Sequence, residues 1–204
     1  MITLENNPQT TVIAGENGWP RQGAWTYADY LRLPDDGNRY EIIQGVLHVA
    51  NAPTPEHQYT VTELIFYLRQ YVAAHPLGIV LTAPIEVHLS ETTRPVQPDL
   101  IFVANDRQPP PGQGFIDGAP ALIVEVVSPT SIRRDRKIKF DLYEEAGVAE
   151  YWIVDPRTRS VEVYTWSNGE YALFGQFIAD ELTQSKRLPG LSIPTNRLFY
   201  PQST

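Results

Sequence analysis

The 204-residue sequence lacks several features that mark common protein classes. It contains no cysteine, which excludes disulfide bonds, thiolate metal ligands and thiol nucleophiles. No apolar run approaches the roughly 18 to 20 residues needed to span a bilayer. The amino terminus shows no basic start followed by an apolar stretch, and there is no glycine-rich phosphate loop. A cytoplasmic protein with no membrane segment is therefore expected.

Positive charge is scarce overall but is concentrated in one place. The net charge of −8 argues against a protein that coats nucleic acid. The segment IRRDRKIK, residues 132–139, nevertheless carries five basic residues and one acid, so its local charge is +4. Such a patch suits contact with phosphates, and it equally suits a solvated helix face. Composition alone leaves both interpretations open.

Hydrophobic periodicity predicts a single domain over residues 25–200, preceded by a flexible arm over residues 1–24. A short helix capped by Thr26 comes first, then a hairpin that turns at Gln44-Gly45. A long amphipathic helix follows over residues 54–76. Predicted strands cover 78–89 (interrupted by Pro84), 97–103, 121–128, 149–156, 160–166 and 170–178.

A second helix is predicted between the strands of the middle and the carboxyl-terminal parts of the chain. It can begin at Thr130 or Ser131, runs to about Ala146 and ends at Gly147. The order of helix, strands, helix and strands predicts an α/β fold in which a mixed sheet is flanked by helices.

Glu125 lies inside the apolar strand ALIVEVVS, where an ionised side chain is costly. A buried carboxylate protonates, finds a partner or binds a cation. A position at a sheet edge, or an arginine partner, would explain it without any function. Asp99 follows Pro98 at the start of the neighbouring strand, where an aspartate is ordinarily a turn former. If adjacent strands bring the two acids together, a divalent ion such as Mg²⁺, which prefers oxygen ligands, would relieve their repulsion.

The basic helix presents a second pattern. Asp135, Lys139 and Tyr143 recur at four-residue steps and therefore share one helix face. In one interpretation Asp135 and Lys139 form a surface ion pair and Tyr143 packs. In the other, Lys139 leans toward the carboxylates and meets the charge that develops during phosphoryl transfer.

The segments PDLIFV, LIVEVVSPTS and DRKIKFDLYEEAGVAEYWIVDP together resemble the Uma-type restriction endonuclease family of the PD-(D/E)XK nuclease superfamily. The resemblance implies a restriction-endonuclease-like mixed β-sheet core, with an extra N-terminal hairpin and C-terminal strands. It also implies an Mg²⁺-dependent endodeoxyribonuclease in which Mn²⁺ can substitute. Its substrate would be DNA, and a homodimer is expected because duplex cleavage needs two sites.

The same resemblance assigns the metal ligands. Asp99, Glu125 and the backbone carbonyl of Val126 would hold the ion. Glu41, in YEII, would complete the site as the amino-terminal acid, although a solvent-facing strand glutamate is an equal alternative.

The lysine departs from the superfamily pattern. It usually follows two residues after the second acid, a position that is Val127 here. The resemblance moves its role to Lys139 on the following helix, with Lys137 as the competing candidate. His57, in APTPEHQ, resembles a recurrent family histidine, but a structural role at the helix start is the alternative.

The basic residues of the helix are expected to grip phosphates without reading the base sequence; they are Arg133, Arg134, Arg136 and Lys137. An opposing hypothesis also follows from Val127 and the net charge. The chain could be a catalytically degenerate nuclease fold that only dimerises or binds a partner. Hydrolysis of a phosphoester other than nucleic acid is a third possibility.

Overall fold

A six-stranded mixed sheet lies at the centre of the structure, a computed structural model that describes residues 12, 14–16, 18–50 and 52–201. In chain order the helices and strands are α1 (Tyr27–Tyr30), β1 (Arg39–Ile43), β2 (Val46–Ala50), α2 (Pro55–Ala74), β3 (Gly78–Thr82), β4 (Glu86–His88), β5 (Leu100–Ala104), β6 (Phe115–Asp117), β7 (Leu122–Val126), α3 (Lys139–Glu145), β8 (Glu150–Asp155), β9 (Ser160–Ser167), β10 (Glu170–Ile178), β11 (Leu182–Gln184) and β12 (Ser192–Pro194). Among the described residues, no helix combines the length and the apolarity needed to cross a membrane.

The strand order of the central sheet is β10-β9-β8-β7-β5-β3. Strands β7 and β8 run parallel, and the other neighbouring pairs are antiparallel. Every residue of β5, β7 and β8 is buried, as expected for central strands that are covered on both faces. The predicted mixed sheet with flanking helices is confirmed.

The two faces of this sheet are covered by different helices. Leu64 and Leu68 of α2 belong to the same buried cluster as Val124. Tyr143 of α3 belongs to the cluster that contains Ile123. Since successive strand side chains point to opposite faces, Glu125 shares the α3 face with Ile123.

The helix after β7 differs from the regular helix that was predicted. Arg134–Ile138 form a π-helical turn before α3 begins, and the Lys139 N–H bonds to the carbonyl of Arg134. Asp135 and Tyr143 are nevertheless buried together with Lys139, so the predicted shared face is retained. The helix ends before Gly147, whose φ of +72° is a conformation that favours glycine.

The hairpin β1–β2 turns at the predicted Gln44-Gly45 pair, and both residues have positive φ. It has its own small apolar cluster, in which Trp25 and Tyr40 are buried. The predicted flexible arm, residues 1–24, lies partly outside the described residues. Within its described part, Trp19 stacks on Trp25 with ring centroids 5.6 Å apart.

Candidate active site

The structure brings the two acids of the central strands together. In the antiparallel pairing of β5 with β7, Leu100 lies opposite Val124. Continuing this register by one residue places Asp99 opposite Glu125, on the same face of the sheet. Both side chains are nearly fully buried, and both line a cleft of about 1030 Å³.

The two oxygens of Asp99 have different partners. The backbone N–H of Val126 donates to Oδ2 over 2.9 Å, and Nε2 of His57 lies 3.0 Å from the same oxygen. Oδ1 accepts a hydrogen bond of 3.2 Å from Nη1 of Arg39. His57 is held near the start of α2, where its N–H bonds to the Thr54 hydroxyl that caps the helix.

Glu125 is bonded through one oxygen. Nζ of Lys139 donates to its Oε1 over 2.7 Å, and the Tyr143 hydroxyl donates to the same atom over 2.8 Å. Both donors come from α3, which covers this face of the sheet. Oε2 accepts no hydrogen bond from the residues that the structure describes, so it is free to bind a ligand in the cleft.

Glu41 reaches the site from the N-terminal hairpin and is completely buried. Its Oε1 accepts from the backbone N–H of Gln97 over 2.8 Å and lies 2.9 Å from Nζ of Lys139. Its Oε2 is buried and has no hydrogen-bond partner among the described residues, and Nη1 of Arg134 is 3.9 Å away. Lys139 therefore bridges Glu41 and Glu125, whereas Lys137, the competing candidate, is exposed.

The environment separates the pKa values of the two central acids. Burial acts to raise the pKa of Asp99, but the hydrogen bond from His57 and the charges of His57 and Arg39 outweigh it and lower that pKa to about 2. Burial raises the pKa of Glu125 to about 7, although the charge of Lys139 opposes this. Near neutral pH Asp99 is therefore ionised, whereas Glu125 is close to the midpoint of its titration.

Lys139 and Glu41 form the ionised pair at the back of the site. Burial acts to lower the pKa of Lys139, but the charges of Glu125 and Glu41 outweigh it and raise that pKa above its usual value. Burial acts to raise the pKa of Glu41, but the charges of Lys139 and Arg134 and the hydrogen bond from the Gln97 backbone together outweigh it and lower that pKa. Lys139 is therefore a protonated, buried cation.

The remaining basic residues of the helix point in different directions. Arg134 lines the cleft, whereas Arg133 and Lys137 are exposed. Arg136 is held away by Glu162 of β9, to which its Nη1 and Nη2 donate two hydrogen bonds of 3.0 and 2.8 Å. The sequence showed the positive charge of this segment. It did not show which of these residues line the cleft, which are exposed and which pair with an acid.

Sequence reasoning missed two residues that hold the acids in place. Arg39 begins β1 and bonds to Asp99, and Gln97 holds Glu41 through its backbone. Neither belongs to a recognisable motif. Their partners are 60 and 56 residues away in the chain, so no local pattern indicates the contacts.

The model of the Uma2 family, described as "Putative restriction endonuclease", matches residues 27–196. Among solved structures, the chain is similar to "a putative nuclease belonging to DUF820" from Anabaena variabilis, with a TM-score of 0.70 and 20% sequence identity over 85% of this chain and 97% of that chain. This likeness shows a restriction-endonuclease-like fold. None of the curated proteins compared with the chain matches it.

Proposed function

Because the chain belongs to the Uma2 family, we propose that it is a divalent-metal-dependent endonuclease that hydrolyses phosphodiester bonds of DNA. The observation that carries the proposal is the unequal use of the carboxylate oxygens. Oε1 of Glu125 and Oδ2 of Asp99 are held by donors of the protein. Oε2 of Glu125 is left for a cation, whereas Oδ1 of Asp99 accepts a hydrogen bond from Arg39, the most exposed of its partners.

The donor set fits a hard divalent ion. Asp99 and Glu125 would hold it, with the carbonyl of Val126 as a further ligand. Glu41 is joined to Glu125 through Lys139, and its Oε2 has no hydrogen-bond partner within the part of the chain that the structure describes. Among the described residues there is no group of three or more acidic or histidine side chains arranged for a metal. Mg²⁺ accepts such a site because it commonly uses one or two carboxylates together with water and substrate phosphates.

When bound, Mg²⁺ or Mn²⁺ would supply a Lewis acid that polarises the phosphate and lowers the pKa of the attacking water. Lys139 orients the Glu125 carboxylate through its hydrogen bond to Oε1, which leaves Oε2 for the ion. Since Lys139 is protonated and fully buried, it acts through its positive charge and not as a base. Its positive charge also lets Glu41 and Glu125 remain close to each other.

Nucleic acid would approach through the open side of the cleft. Arg134 lines it, and the exposed Arg133 and Lys137 would contact further phosphates. Arg136 would contact a phosphate only after leaving Glu162. Cleavage of both strands would require two such sites, which is the reason to propose a homodimer.

The test is metal-dependent nicking of supercoiled plasmid DNA by purified protein. We expect cleavage with Mg²⁺ or Mn²⁺, and a loss of at least about 100-fold in Asp99→Asn and Glu125→Gln proteins that remain folded. The matched control is Asp106→Asn, which removes an exposed carboxylate and should leave the rate unchanged. Identical DNA with and without metal would favour the alternative, a nuclease fold that serves as a binding module.

A further inference from the structure

Arg39 bonds to the oxygen of Asp99 that a bound cation would use, so the cation would have to displace it. The other two partners of Asp99 among the described residues, the Val126 amide and His57, both contact Oδ2. The amide belongs to a central strand, and the His57 side chain is only 12% exposed. Oδ1 is bonded by Nη1 of Arg39 over 3.2 Å.

The Arg39 side chain is less constrained than these partners. It is 28% exposed and lines the cleft, and its guanidinium remains charged at any ordinary pH. A divalent ion on Oδ1 would share that oxygen with a cation and repel it. The guanidinium would then be displaced into the cleft, which a nucleic acid would enter.

We propose that Arg39 is a further phosphate-binding residue of this site, held by Asp99 until a divalent ion takes Oδ1 and then released to a phosphate of the nucleic acid. The proposal rests on the function proposed above. The planar guanidinium suits this exchange, because it binds carboxylate and phosphate with the same paired N–H geometry. The metal-free site also keeps its acids neutralised, because Arg39 replaces part of the missing positive charge.

The first experiment measures metal binding without turnover, by titrating the full-length protein with Mn²⁺ and following free Mn²⁺ by electron paramagnetic resonance. Arg39→Gln should bind Mn²⁺ about tenfold more tightly than wild type, because the competing charge is gone. Arg39→Lys keeps the charge and should bind with an affinity close to that of wild type.

Arg32→Gln is the matched control. Nη1 of Arg32 also lies 3.2 Å from an aspartate oxygen, Oδ1 of Asp29, but its side chain is 57% exposed and it is not among the residues that line the cleft. Its removal should leave Mn²⁺ affinity within about twofold of wild type.

The second experiment measures the salt dependence of DNA binding with and without Ca²⁺, which binds at oxygen sites. With Ca²⁺, the slope of log K against log salt should be smaller by about one for Arg39→Gln than for wild type, which corresponds to one lost phosphate contact. Without a divalent ion the two slopes should coincide, because Asp99 holds Arg39.

The outcomes separate this inference from the proposed function. If wild type shows no Mn²⁺ binding that Asp99→Asn abolishes, both are overturned. If Asp99-dependent binding is present but Arg39→Gln binds Mn²⁺ equally or more weakly, Arg39 supports Asp99 structurally and the exchange is wrong. Equal salt slopes for Arg39→Gln and wild type in the presence of Ca²⁺ would overturn the proposed contact between Arg39 and a phosphate.

Discussion

The Lys139→Met protein provides a direct test of the ion cluster that Lys139 forms with Glu41 and Glu125. Nζ of Lys139 lies 2.7 Å from Glu125 and 2.9 Å from Glu41, and all three side chains are almost inaccessible to solvent. Methionine has a similar length and is apolar, so it fills the same space without leaving a large cavity. The substitution therefore removes a charge and leaves two buried acids without it.

The expected loss of stability is large. Removing one partner of a buried ion pair costs about 3 to 5 kcal/mol. For a chain of this length, each kcal/mol lowers Tm by about 2 to 4 °C, so a fall of roughly 6 to 20 °C follows. Lys137→Met removes the same charge from an exposed position of the same helix and should change stability by less than about 0.5 kcal/mol.

The pH dependence distinguishes electrostatics from packing. The pKa of Glu125 is about 7 in the native protein, and the loss of Lys139 would raise it further. At pH 5 Glu125 is neutral, so Lys139→Met should cost less than at pH 8. Urea unfolding at both pH values, without divalent ions, measures the difference. A cost below about 1 kcal/mol at pH 8, or an equal cost at both pH values, would refute the ion cluster.

The remaining predictions concern charge, phosphate contact and backbone geometry. Since the pKa of Glu125 is raised from 4.5 to about 7, the folded state binds more protons than the unfolded state between these values. Metal-free stability should therefore fall by up to about 3 kcal/mol as pH rises through about 7, and urea unfolding of Glu125→Gln should lack this fall. Arg133→Gln should reduce the salt slope of DNA binding by about one, whereas Arg136→Gln should leave it unchanged and lose about 1 kcal/mol of stability through Glu162. Gly45→Ala should lose at least about 1 kcal/mol in the same unfolding assay, because φ is +72° and a Cβ would lie 2.6 Å from a backbone carbonyl oxygen; wild-type stability would contradict the described turn.

Much of the fold could be predicted because the relevant signals are local. Hydrophobic periodicity identified α2, and the Gln44-Gly45 pair located the hairpin turn. The convergence of Asp99 and Glu125 was also accessible, since their strands are consecutive long apolar runs and became neighbours in the sheet. The π-helical turn Arg134–Ile138 was not predicted, because its composition does not differ from that of a regular helix.

For the candidate site, the sequence gives the residue types and the tertiary structure gives the contacts between individual atoms. Sequence alone determined which residue types are available: an acid in each of two apolar strand segments, a third acid in a hairpin, and a basic helix after the second strand. Tertiary structure decided that Lys139 and not Lys137 meets the acids, that Arg136 pairs with Glu162, and that Arg39 is bonded to Asp99. These contacts join groups that are mostly far apart in the chain, and the energy of a buried charge depends on the few ångströms around it. No pattern of neighbouring residues carries that information.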